Sequence, residues 1–537
     1  MNARTESPRP TISSLHGIVA SAHFQASQAG ARTLAAGGNA FDAAVTVASC
    51  LNVAEPFMSG LAGMGFATMW VAAEKRVRVL DYVPPVHKSF PEGKYTERGQ
   101  LLRGGQAVGL PANLAGWCKI SETYGKLPLE KALEPAVKLA AEGFGVAEFG
   151  AQLISEASAE LSKNSVFGAA FAENYPYAKG LKVGDIIRQP QLAESYRLIG
   201  KEGPAALYRG VLGEKLTRHV QSIGGTMTME DLAAVEAVWR DPASITYRGL
   251  KIHIPPPPCE GFQFLLTLRL LESADVAKLE HNGVQHLDLV MRAIRLAAGV
   301  RIANSYATPE KLAEILSEPF VEKLRERLHS GKPIKGQTEQ WMAEAPEGED
   351  PGHTTSFSIA DKDGNMICVT QSLGAAFGSG VVVPGTGICL NNFLYWADVQ
   401  PGSPNRAAPG RALPMCMSPS ISTKDGVPVL ALGTPGSYGI LQTQAQAMVQ
   451  HLDFGLPLQD AISAPRVRLW DGTVAEVEPR VAPGVMDALR ERGHDAKPFA
   501  VPYAMHAGGM QAIRRNPETG LMTGAADPRR DGWVVGV

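Results

Sequence analysis

The sequence predicts an α+β fold, in which helical and strand-forming stretches occupy different parts of the chain. Residues from about 120 to 330 alternate charged and apolar positions at helical spacing, as in LEKALEPAVKLAAEGF. From Thr354 to about Leu432 the pattern changes to short strand-forming runs separated by glycine and proline turns. Helical runs followed by strand runs are typical of α+β proteins.

Two helices are also predicted near the N-terminus. The alanine-rich stretch FQASQAGARTLAA ends at Gly37 and Gly38, a common way for a helix to stop. Asn39 follows as the expected N-cap of a second helix, AFDAAVTVASCLNVA, because its side chain can accept from the first free N–H groups.

The stretch TTSFSIADKDGNMICVTQS predicts a β-hairpin. TTSFSIA alternates polar and apolar residues, MICVTQS is rich in strand formers, and DKDGN has turn chemistry. If the loop has three residues and ends at a left-handed Gly364, then Asp361 faces Asn365. The same register places Thr354 opposite Ser372 on one face, with Cβ atoms about 4.5–5.5 Å apart.

Such a pair of hydroxyls has two interpretations, since Thr–Ser pairs also simply stabilise sheets. The segment before the hairpin, KGQTEQWMAEAPEGEDPG, is polar and acidic and has no periodic apolar pattern. We therefore expect a mobile linker at about 336–353. A linker that leads directly into a core-like strand suggests a processing boundary. Cleavage between His353 and Thr354 would give Thr354 a free α-amino group.

An α-amino group beside a hydroxyl has a chemical use. A hydroxyl is a weak nucleophile and needs a base, and an N-terminal amine can be that base. Its pKa of roughly 7.7–8.0 leaves a useful neutral fraction near pH 7. The hypothesis of an N-terminal threonine nucleophile therefore requires no separate His or Asp.

A series of stretches, in order along nearly the whole chain, resembles the γ-glutamyltransferase family: GGNAFDAA, PPPPCEG, TTSFSIADKDGN, FGSGVVVPGTGICLNN, and MSPSI followed by GTPGS. The resemblance implies an N-terminal-nucleophile hydrolase, made as one inactive chain that cuts itself, with a four-layer αββα sandwich. It also implies a large subunit from residues 1–353 and a small subunit from residues 354–537, interwoven as one structural unit.

The resemblance also implies catalytic roles. Thr354 would be the nucleophile of self-cleavage and of turnover, and would first attack the carbonyl of His353. Ser372 stands where the family has a second threonine whose hydroxyl bonds the nucleophile. The backbone N–H groups of Gly436 and Ser437, in TPGS, would hold the tetrahedral oxygen, each typically worth about 10²–10³ in rate. A plain tight turn is the alternative for TPGS.

The chain departs from the family where a γ-glutamyl group would be held. Members use an Arg for the carboxylate, two Ser residues beside it, and an Asn, a Gln or Glu, and an Asp around the amine. The residues at these positions here are Val83, Met415, Cys416, Gly374, Phe393 and Trp396. Burying an ammonium and a carboxylate without partners costs several kcal/mol. Glutathione is therefore expected to be a poor donor.

The predicted substrate pocket is more apolar and aromatic than that of the family. Its candidate residues are Thr355, Gly374, Phe393, Tyr395, Trp396, Met415 and Tyr438. Alternatively, the larger side chains fill the vacated space and leave a small cavity. A small cavity would suit an amide such as oxamate, and a larger pocket would suit an acylated amine, as in the cephalosporin-acylase-like relatives. The sequence leaves both open.

Three charged residues at other positions could replace the missing charged contacts to a substrate. Asp398 could act as an acidic ligand, although a solvated loop residue is favoured. Arg103 and Arg411 could hold a substrate carboxylate, but surface charges are favoured, because Arg is commonly exposed.

Composition agrees with a globular enzyme. The chain has 537 residues, 45% hydrophobic and 19% charged, and a net charge of −2. No basic run indicates nucleic acid or an anionic membrane surface. The N-terminal MNARTESPRPTISS lacks an apolar signal region, so a cytoplasmic location is expected. The six cysteines have no Cys-x-x-Cys pair and are expected to be free, buried thiols; no metal or cofactor is expected.

Other functions remain as alternatives. Gly-x-Ser-x-Gly is absent, and GMGFAT has only two of the three glycines of a dinucleotide motif. The alternatives are a genuine γ-glutamyl transferase or glutathione hydrolase, and an unprocessed pseudoenzyme that serves as a binding or scaffold protein. The expected partner is a small amide. The two subunits should associate after cleavage, and a homodimer of the pair is a further alternative.

Overall fold

The computed structural model describes residues 8–176, 180–332, 334–337 and 353–537. The predicted linker at about 336–353 falls mostly outside the described residues, and His353 is the first residue of a strand.

The helices are α1 (Phe24–Ala35), α2 (Ala40–Ala54), α3 (Asn113–Tyr124), α4 (Leu129–Glu142), α5 (Glu148–Leu161), α6 (Gly168–Asn174), α7 (Pro190–Glu202), α8 (Ala205–Tyr208), α9 (Val211–Ser222), α10 (Met229–Ala233), α11 (Phe262–Leu271), α12 (Val284–Ala303), α13 (Pro309–Ile315), α14 (Glu318–Leu328), α15 (Gly439–Leu452), α16 (Leu458–Ser463) and α17 (Val485–Glu491). The strands are β1 (Ile12–Ser14), β2 (Gly17–Ser21), β3 (Met64–Val71), β4 (Arg76–Tyr82), β5 (Phe144–Gly145), β6 (Ile186–Ile187), β7 (Val238–Arg240), β8 (Ala243–Tyr247), β9 (Leu250–Ile254), β10 (His353–Asp361), β11 (Met366–Gly374), β12 (Val382–Val383), β13 (Ile388–Cys389), β14 (Ser420–Lys424), β15 (Val427–Gly433), β16 (Val467–Leu469), β17 (Val474–Val477), β18 (Asp495–Pro498), β19 (Gln511–Arg515), β20 (Met522–Ala526) and β21 (Trp533–Gly536).

Two seven-stranded antiparallel sheets form the centre of the molecule. The first has the strand order β21-β2-β10-β11-β3-β4-β7, and the second has the order β1-β20-β19-β15-β14-β9-β8. An apolar core between them includes Ala360, Cys368, Ile421 and Ala431. Helices such as α2 cover the outer face of the first sheet, and helices such as α11 and α12 cover the second. These four layers are the predicted αββα sandwich.

Both sheets combine strands from either side of residue 353. In the first sheet, β10 lies between β2 and β11, and β11 pairs with β3. In the second sheet, β14 pairs with β9. Main-chain hydrogen bonds therefore join the part of the chain before residue 353 to the part after it. The division of the chain at 353/354 stays a prediction.

The two N-terminal helices begin and end where the sequence predicts. α1 ends at Ala35, just before Gly37, whose φ is +97°. Asn39 caps α2 by accepting from the N–H groups of Phe41 and Asp42, and the Asp42 carboxylate accepts from the N–H of Asn39 in return. This reciprocal arrangement satisfies backbone donors that would otherwise be buried without partners.

The stretch predicted to be mainly helical also contains a strand hairpin. β8 and β9 pair across a turn at Arg248 and Gly249, both at positive φ, and form the edge of the second sheet. Short strands such as ASITY and LKIHI are easily hidden within a long region of helical spacing, since they span only five residues each.

The fold also shows the state of the cysteines, the character of the helices and the grouping of metal-ligating side chains. All six cysteines are free and buried, as predicted. None of the described helices combines the length and the apolar composition that crossing a bilayer requires. Within the described ranges, no cluster of three or more His, Cys, Asp or Glu side chains is arranged to hold a metal ion.

Candidate active site

The hairpin of β10 and β11 has the register that the sequence predicts. Thr354 pairs with Ser372, and the loop closes with Gly364 at φ +87°. The Asp361 carboxylate accepts from the N–H of Asn365 at 2.9 Å and from the N–H of Ala40, in the first turn of α2, at 2.8 Å. The hairpin is therefore attached to a buried helix N-terminus, where the helix dipole favours a negative charge.

A chain of hydroxyl hydrogen bonds connects the predicted nucleophile to the predicted cleavage site. The hydroxyl of Thr354 donates to Oγ of Ser372 at 3.1 Å, and that of Ser372 donates to the carbonyl oxygen of His353 at 2.6 Å. The N–H of Gly374 also donates to Oγ of Ser372, at 2.9 Å. Ser372 therefore contacts both the hydroxyl of Thr354 and the carbonyl oxygen of His353.

The ladder between β10 and β11 is irregular at the same peptide bond. His353 pairs with Gly374, whereas Thr354 pairs with Ser372, so one residue of β11 is passed over between them. Such an irregularity interrupts the ladder locally and can redirect the main chain. The His353–Thr354 bond consequently lies outside the regular pairing that holds the rest of the strand.

Thr355 lies on the other face of β10 from Thr354, because successive side chains of a strand alternate. Its hydroxyl donates to Oε2 of the buried Glu55, at the end of α2, at 2.8 Å. Beside it, Nη1 of Arg530 donates to the carbonyl oxygen of Thr354 at 2.8 Å. Burial raises the pKa of Glu55 to about 7, against the lowering effects of Arg530 and of the Thr355 hydrogen bond. Thr355 is thus joined to a buried carboxyl rather than to the side of the strand that carries Thr354.

The predicted oxyanion loop has an unusual backbone. Gly436 has φ +129° and Ser437 has φ +54°, and a non-glycine residue at positive φ is uncommon. Arg468 donates to the carbonyl oxygen of Gly436 at 2.8 Å, and the N–H of Gly509 donates to Oγ1 of Thr434 at 3.1 Å. Within the described part of the chain, neither the N–H of Gly436 nor that of Ser437 donates to another group. Both donors are therefore available to a ligand.

Several predicted pocket residues form a continuous aromatic group. Phe393 and Trp396 lie on one 3₁₀ turn with ring centroids 6.2 Å apart, and Trp396 lies 5.9 Å from Tyr438. A Cβ atom on Gly374 would lie 3.7 Å from Nε1 of Trp396 and only 2.1 Å from Oδ1 of Asn392. The Asn392 carboxamide thus occupies the space that a larger residue at 374 would need. We call Phe393, Trp396 and Tyr438 the aromatic wall.

The remaining two pocket candidates, Tyr395 and Met415, contact other parts of the chain. The ring of Tyr395 lies 4.4 Å from the guanidinium of Arg98, which also donates to the Tyr395 carbonyl oxygen. Met415 forms an isolated β-bridge with Cys259, in the PPPPCEG loop. All five large side chains of the predicted pocket are buried in the intact chain.

The three charged alternatives differ in their surroundings. Arg103 donates to the carbonyl oxygens of Ala376 and Gly378, so it stabilises the loop after β11 and is not the surface charge that we favoured. Asp398 accepts from the next two backbone N–H groups and closes a partly exposed turn. Arg411 is exposed and lies over the ring of Tyr306, in agreement with a surface charge.

Sequence reasoning missed four residues that contact the predicted site residues: Glu55 accepts from Thr355, Arg530 donates to the carbonyl of Thr354, Glu260 accepts from the hydroxyl of Tyr438, and Asn392 lies against Gly374. Glu55 has no local signal, because it only ends the apolar pattern of α2. Glu260 lies in the PPPPCEG stretch, where an acidic residue in an apolar loop could have been noticed.

The four-layer fold and the hydroxyl pair on its central hairpin define an N-terminal-nucleophile hydrolase. The model of the γ-glutamyltranspeptidase family matches residues 26–537. The chain belongs to this family. It is therefore an enzyme, an amide hydrolase or acyltransferase that is activated by autocatalytic cleavage.

Individual relatives agree with this assignment. The chain is 34% identical to the acylase ACY 1 proenzyme of Pseudomonas sp. (strain SE83), over 97% of this chain and 93% of the relative. It is 31% identical to the glutathione hydrolase proenzyme of Bacillus subtilis (strain 168), over 97% and 91%. The cephalosporin acylase from Bacillus halodurans superposes with a TM-score of 0.89 at 28% identity, covering 100% of this chain and 99% of that one.

Proposed function

We propose that this enzyme uses Thr354 as its nucleophile and cleaves a small amide that has no γ-glutamyl group. The observation that carries the proposal is the hydrogen-bond chain from Thr354 through Ser372 to the carbonyl of His353. It supports one threonine for both the activating cleavage and the later reaction.

In self-cleavage, Oγ1 of Thr354 attacks the carbonyl carbon of His353. Ser372 receives the proton of the attacking hydroxyl while its own proton moves towards the carbonyl oxygen, so the charge on the tetrahedral intermediate stays small. The C–N bond then breaks, the nitrogen takes a proton, and an ester on Thr354 results. Water opens the ester, which leaves a carboxyl group on His353 and the free α-amine of Thr354.

In turnover, the new α-amine takes the proton from the Thr354 hydroxyl, which attacks the substrate carbonyl. The N–H groups of Gly436 and Ser437 hold the oxygen of the tetrahedral intermediate. The amine product leaves with a proton, and water hydrolyses the acyl ester. An amine in place of water would give acyl transfer through the same ester.

The proposed substrate class follows from the aromatic wall and Met415. These side chains are apolar where an ammonium and a carboxylate would need charged partners, so they favour an uncharged acyl group. A small oxamate-like amide and an acylated amine both remain candidates. The resemblance to an acylase proenzyme and a cephalosporin acylase supports the acylated amine.

The second candidate function is a γ-glutamyl transferase or glutathione hydrolase. It is supported by the 31% identity to a glutathione hydrolase proenzyme. The apolar residues at the expected clamp, such as Met415 and Phe393, argue against it.

The test combines processing and substrate choice. Purified wild-type protein should give, on a denaturing gel, a 184-residue fragment (537 − 354 + 1) whose N-terminal sequence is TTSFS. Thr354→Ala should stay intact and should hydrolyse none of a panel of oxamate, N-acyl amines and γ-glutamyl-p-nitroanilide.

The outcomes separate the candidates. Hydrolysis of N-acyl amines or oxamate with little release from the γ-glutamyl anilide supports the proposal. Rapid anilide release with transfer to dipeptides would establish the second candidate instead. An intact wild-type chain that binds but does not turn over these amides would indicate the pseudoenzyme.

A further inference from the structure

A fully buried charged cluster lies directly behind the aromatic wall. Oε2 of Glu260 accepts from the hydroxyl of Tyr438 at 2.8 Å, and Oε1 accepts from Ser305 at 2.7 Å. Nη1 of Arg301, on α12, lies 3.2 Å from Oε1, and the side chains of both members of this ion pair are inaccessible to solvent. The proposed reaction does not use this cluster.

Glu260 contacts two separate parts of the predicted pocket. Its carboxylate holds Tyr438, and its backbone N–H donates to the carbonyl oxygen of Met415 at 2.8 Å. Cys259, the residue before it, bridges Met415 as well. A single residue thus joins the loop that carries Met415 to the residue that follows the oxyanion loop.

The ring of Tyr438 contacts two further side chains. The guanidinium of Arg301 lies 3.9 Å from its centroid, and the Trp396 ring lies 5.9 Å away. A cation over an aromatic face is attracted by the ring quadrupole, most strongly where water is excluded. Burial, together with the charge of Glu260, raises the pKa of Tyr438 well above its ordinary value, so the hydroxyl keeps the proton that it donates.

The backbone next to Tyr438 needs such support. Ser437 has φ +54°, a backbone conformation that residues other than glycine adopt only when their surroundings constrain them. A displacement of Tyr438 would therefore move the N–H of Ser437 and the edge of the aromatic wall together. Small displacements of catalytic groups are expensive, because about 1 Å of misplacement can cost about 10²-fold in rate.

We propose that Glu260 is a positioning residue, which acts through Tyr438 and Met415 to fix the oxyanion loop and the aromatic wall in one geometry. A buried ion pair usually adds little stability over apolar residues of the same size, whereas its hydrogen bonds have a defined direction. Orientation of Tyr438 is the property that an apolar residue at 260 could not supply. The kinetic consequences rest on the function proposed above; the structural consequence does not.

The test compares three variants of the full-length chain. Tyr438→Phe removes only the hydroxyl that donates a hydrogen bond to Glu260. Glu260→Gln removes the negative charge of the carboxylate with little change in side-chain size. Ser305→Ala is the matched control, because it removes another hydrogen bond to the same carboxylate without touching Tyr438. For each protein, we would measure hydrogen–deuterium exchange of the peptide 433–440, thermal stability, and kcat and KM for the amide of the panel that the wild type hydrolyses best.

The expected exchange of peptide 433–440 is about tenfold faster in Tyr438→Phe and Glu260→Gln than in wild type, and unchanged in Ser305→Ala. In the same two variants kcat should fall by about 10²-fold, with a smaller change in KM. Equal exchange in Tyr438→Phe and Ser305→Ala would overturn the inference, as would a uniform loss of stability without local change. If the wild type hydrolyses no amide, the proposed function fails, and exchange alone still decides whether Glu260 positions this loop.

Discussion

At the scale of single residues, the position of the Ser372 hydroxyl supports its proposed role in self-cleavage at Thr354. It accepts from Thr354 and donates to the carbonyl of His353, so a proton can move through it without a charged base. Before cleavage no α-amine exists at Thr354. A neutral hydroxyl in this position is therefore most important for the first reaction.

Replacing Ser372 by Ala should slow self-cleavage by about 10²-fold, because a donor to the developing oxyanion is lost. Ser372→Thr should process normally. The measurement is the time course of the 184-residue fragment after cell-free synthesis, with Thr354→Ala as the blank.

Ser356→Ala is the matched control for this prediction. Ser356 lies two residues further along the same face of β10, and its hydroxyl donates to the carbonyl oxygen of Val369 on β11 at 2.8 Å. It should process at the wild-type rate. If Ser372→Ala matures as fast as Ser356→Ala, the proton route through Ser372 is wrong.

Glu55 predicts a pH dependence of stability. Burial raises the pKa of its carboxyl from 4.5 to about 7 in the folded chain, although Arg530 lies close by. The unfolded chain releases this proton above about pH 4.5, and the folded chain keeps it up to about pH 7. The contribution of the Glu55 carboxyl to the free energy of unfolding is therefore fully present below pH 4.5 and is lost as the pH rises towards 7. The loss is about 3 kcal/mol at most.

The Glu55→Gln variant tests this prediction. The wild-type free energy of unfolding, relative to that of Glu55→Gln, should fall between about pH 4.5 and pH 7 and stay level above that range. Both proteins should carry Thr354→Ala, so that a single uncut chain unfolds. Parallel pH curves for the two proteins would contradict the assigned role of Glu55.

At the scale of secondary-structure elements, the close approach of the two sheets defines the site. A Cβ atom on Gly433, the last residue of β15, would lie 2.2 Å from Oγ of Ser356 and 2.7 Å from Sγ of Cys368. Glycine is therefore required here by the distance between sheets, since its φ is ordinary. The oxyanion loop leaves β15 at this point of contact, which brings it towards the central hairpin.

Gly433→Ala should separate the sheets locally and lower the free energy of unfolding by about 1–3 kcal/mol, as overpacking of a core does. The control is Gly299→Ala in α12, where a Cβ atom would meet nothing within 4 Å. That change should be neutral or raise stability by up to about 1 kcal/mol. Denaturant unfolding of both variants checks the difference, and a Gly433→Ala protein as stable as Gly299→Ala would contradict it.

At the scale of the whole molecule, the shared sheets decide what becomes of the two fragments. β11 and the part of β10 after His353, on the C-terminal side of the proposed cut, lie between β2 and β3, which are on its N-terminal side. Cutting the His353–Thr354 bond, inside β10, separates only His353 and its pairing with Gly374 from the strand and leaves the ladder from Thr354 onward intact. The cleaved enzyme should therefore keep its fold, and its fragments should stay associated.

This arrangement predicts that both fragments elute together on size-exclusion chromatography and separate only in denaturant. The segment 354–537 expressed alone should fail to fold, because its central strands lose β2 and β3. A soluble isolated fragment with cooperative unfolding would contradict the prediction. Coexpression with residues 1–353 is the control.

The sequence by itself determined the local structure of this protein. The end of α1, the N-cap of α2, the three-residue loop at Gly364 and the pairing of Thr354 with Ser372 were all predicted, because they follow from turn chemistry and from side-chain periods of a few residues. The order of family motifs likewise predicted the four layers. The short β8–β9 hairpin was missed within a region of helical spacing.

Only the tertiary structure decided which groups surround these elements. The hydrogen bonds of Thr355 with Glu55, Thr354 with Arg530 and Tyr438 with Glu260 join residues 300, 176 and 178 positions apart. No local pattern specifies such partners, because they meet only when the helices and sheets pack into layers. The chemistry of the nucleophile could thus be predicted from a short stretch, whereas its electrostatic surroundings depend on the packing of the entire chain.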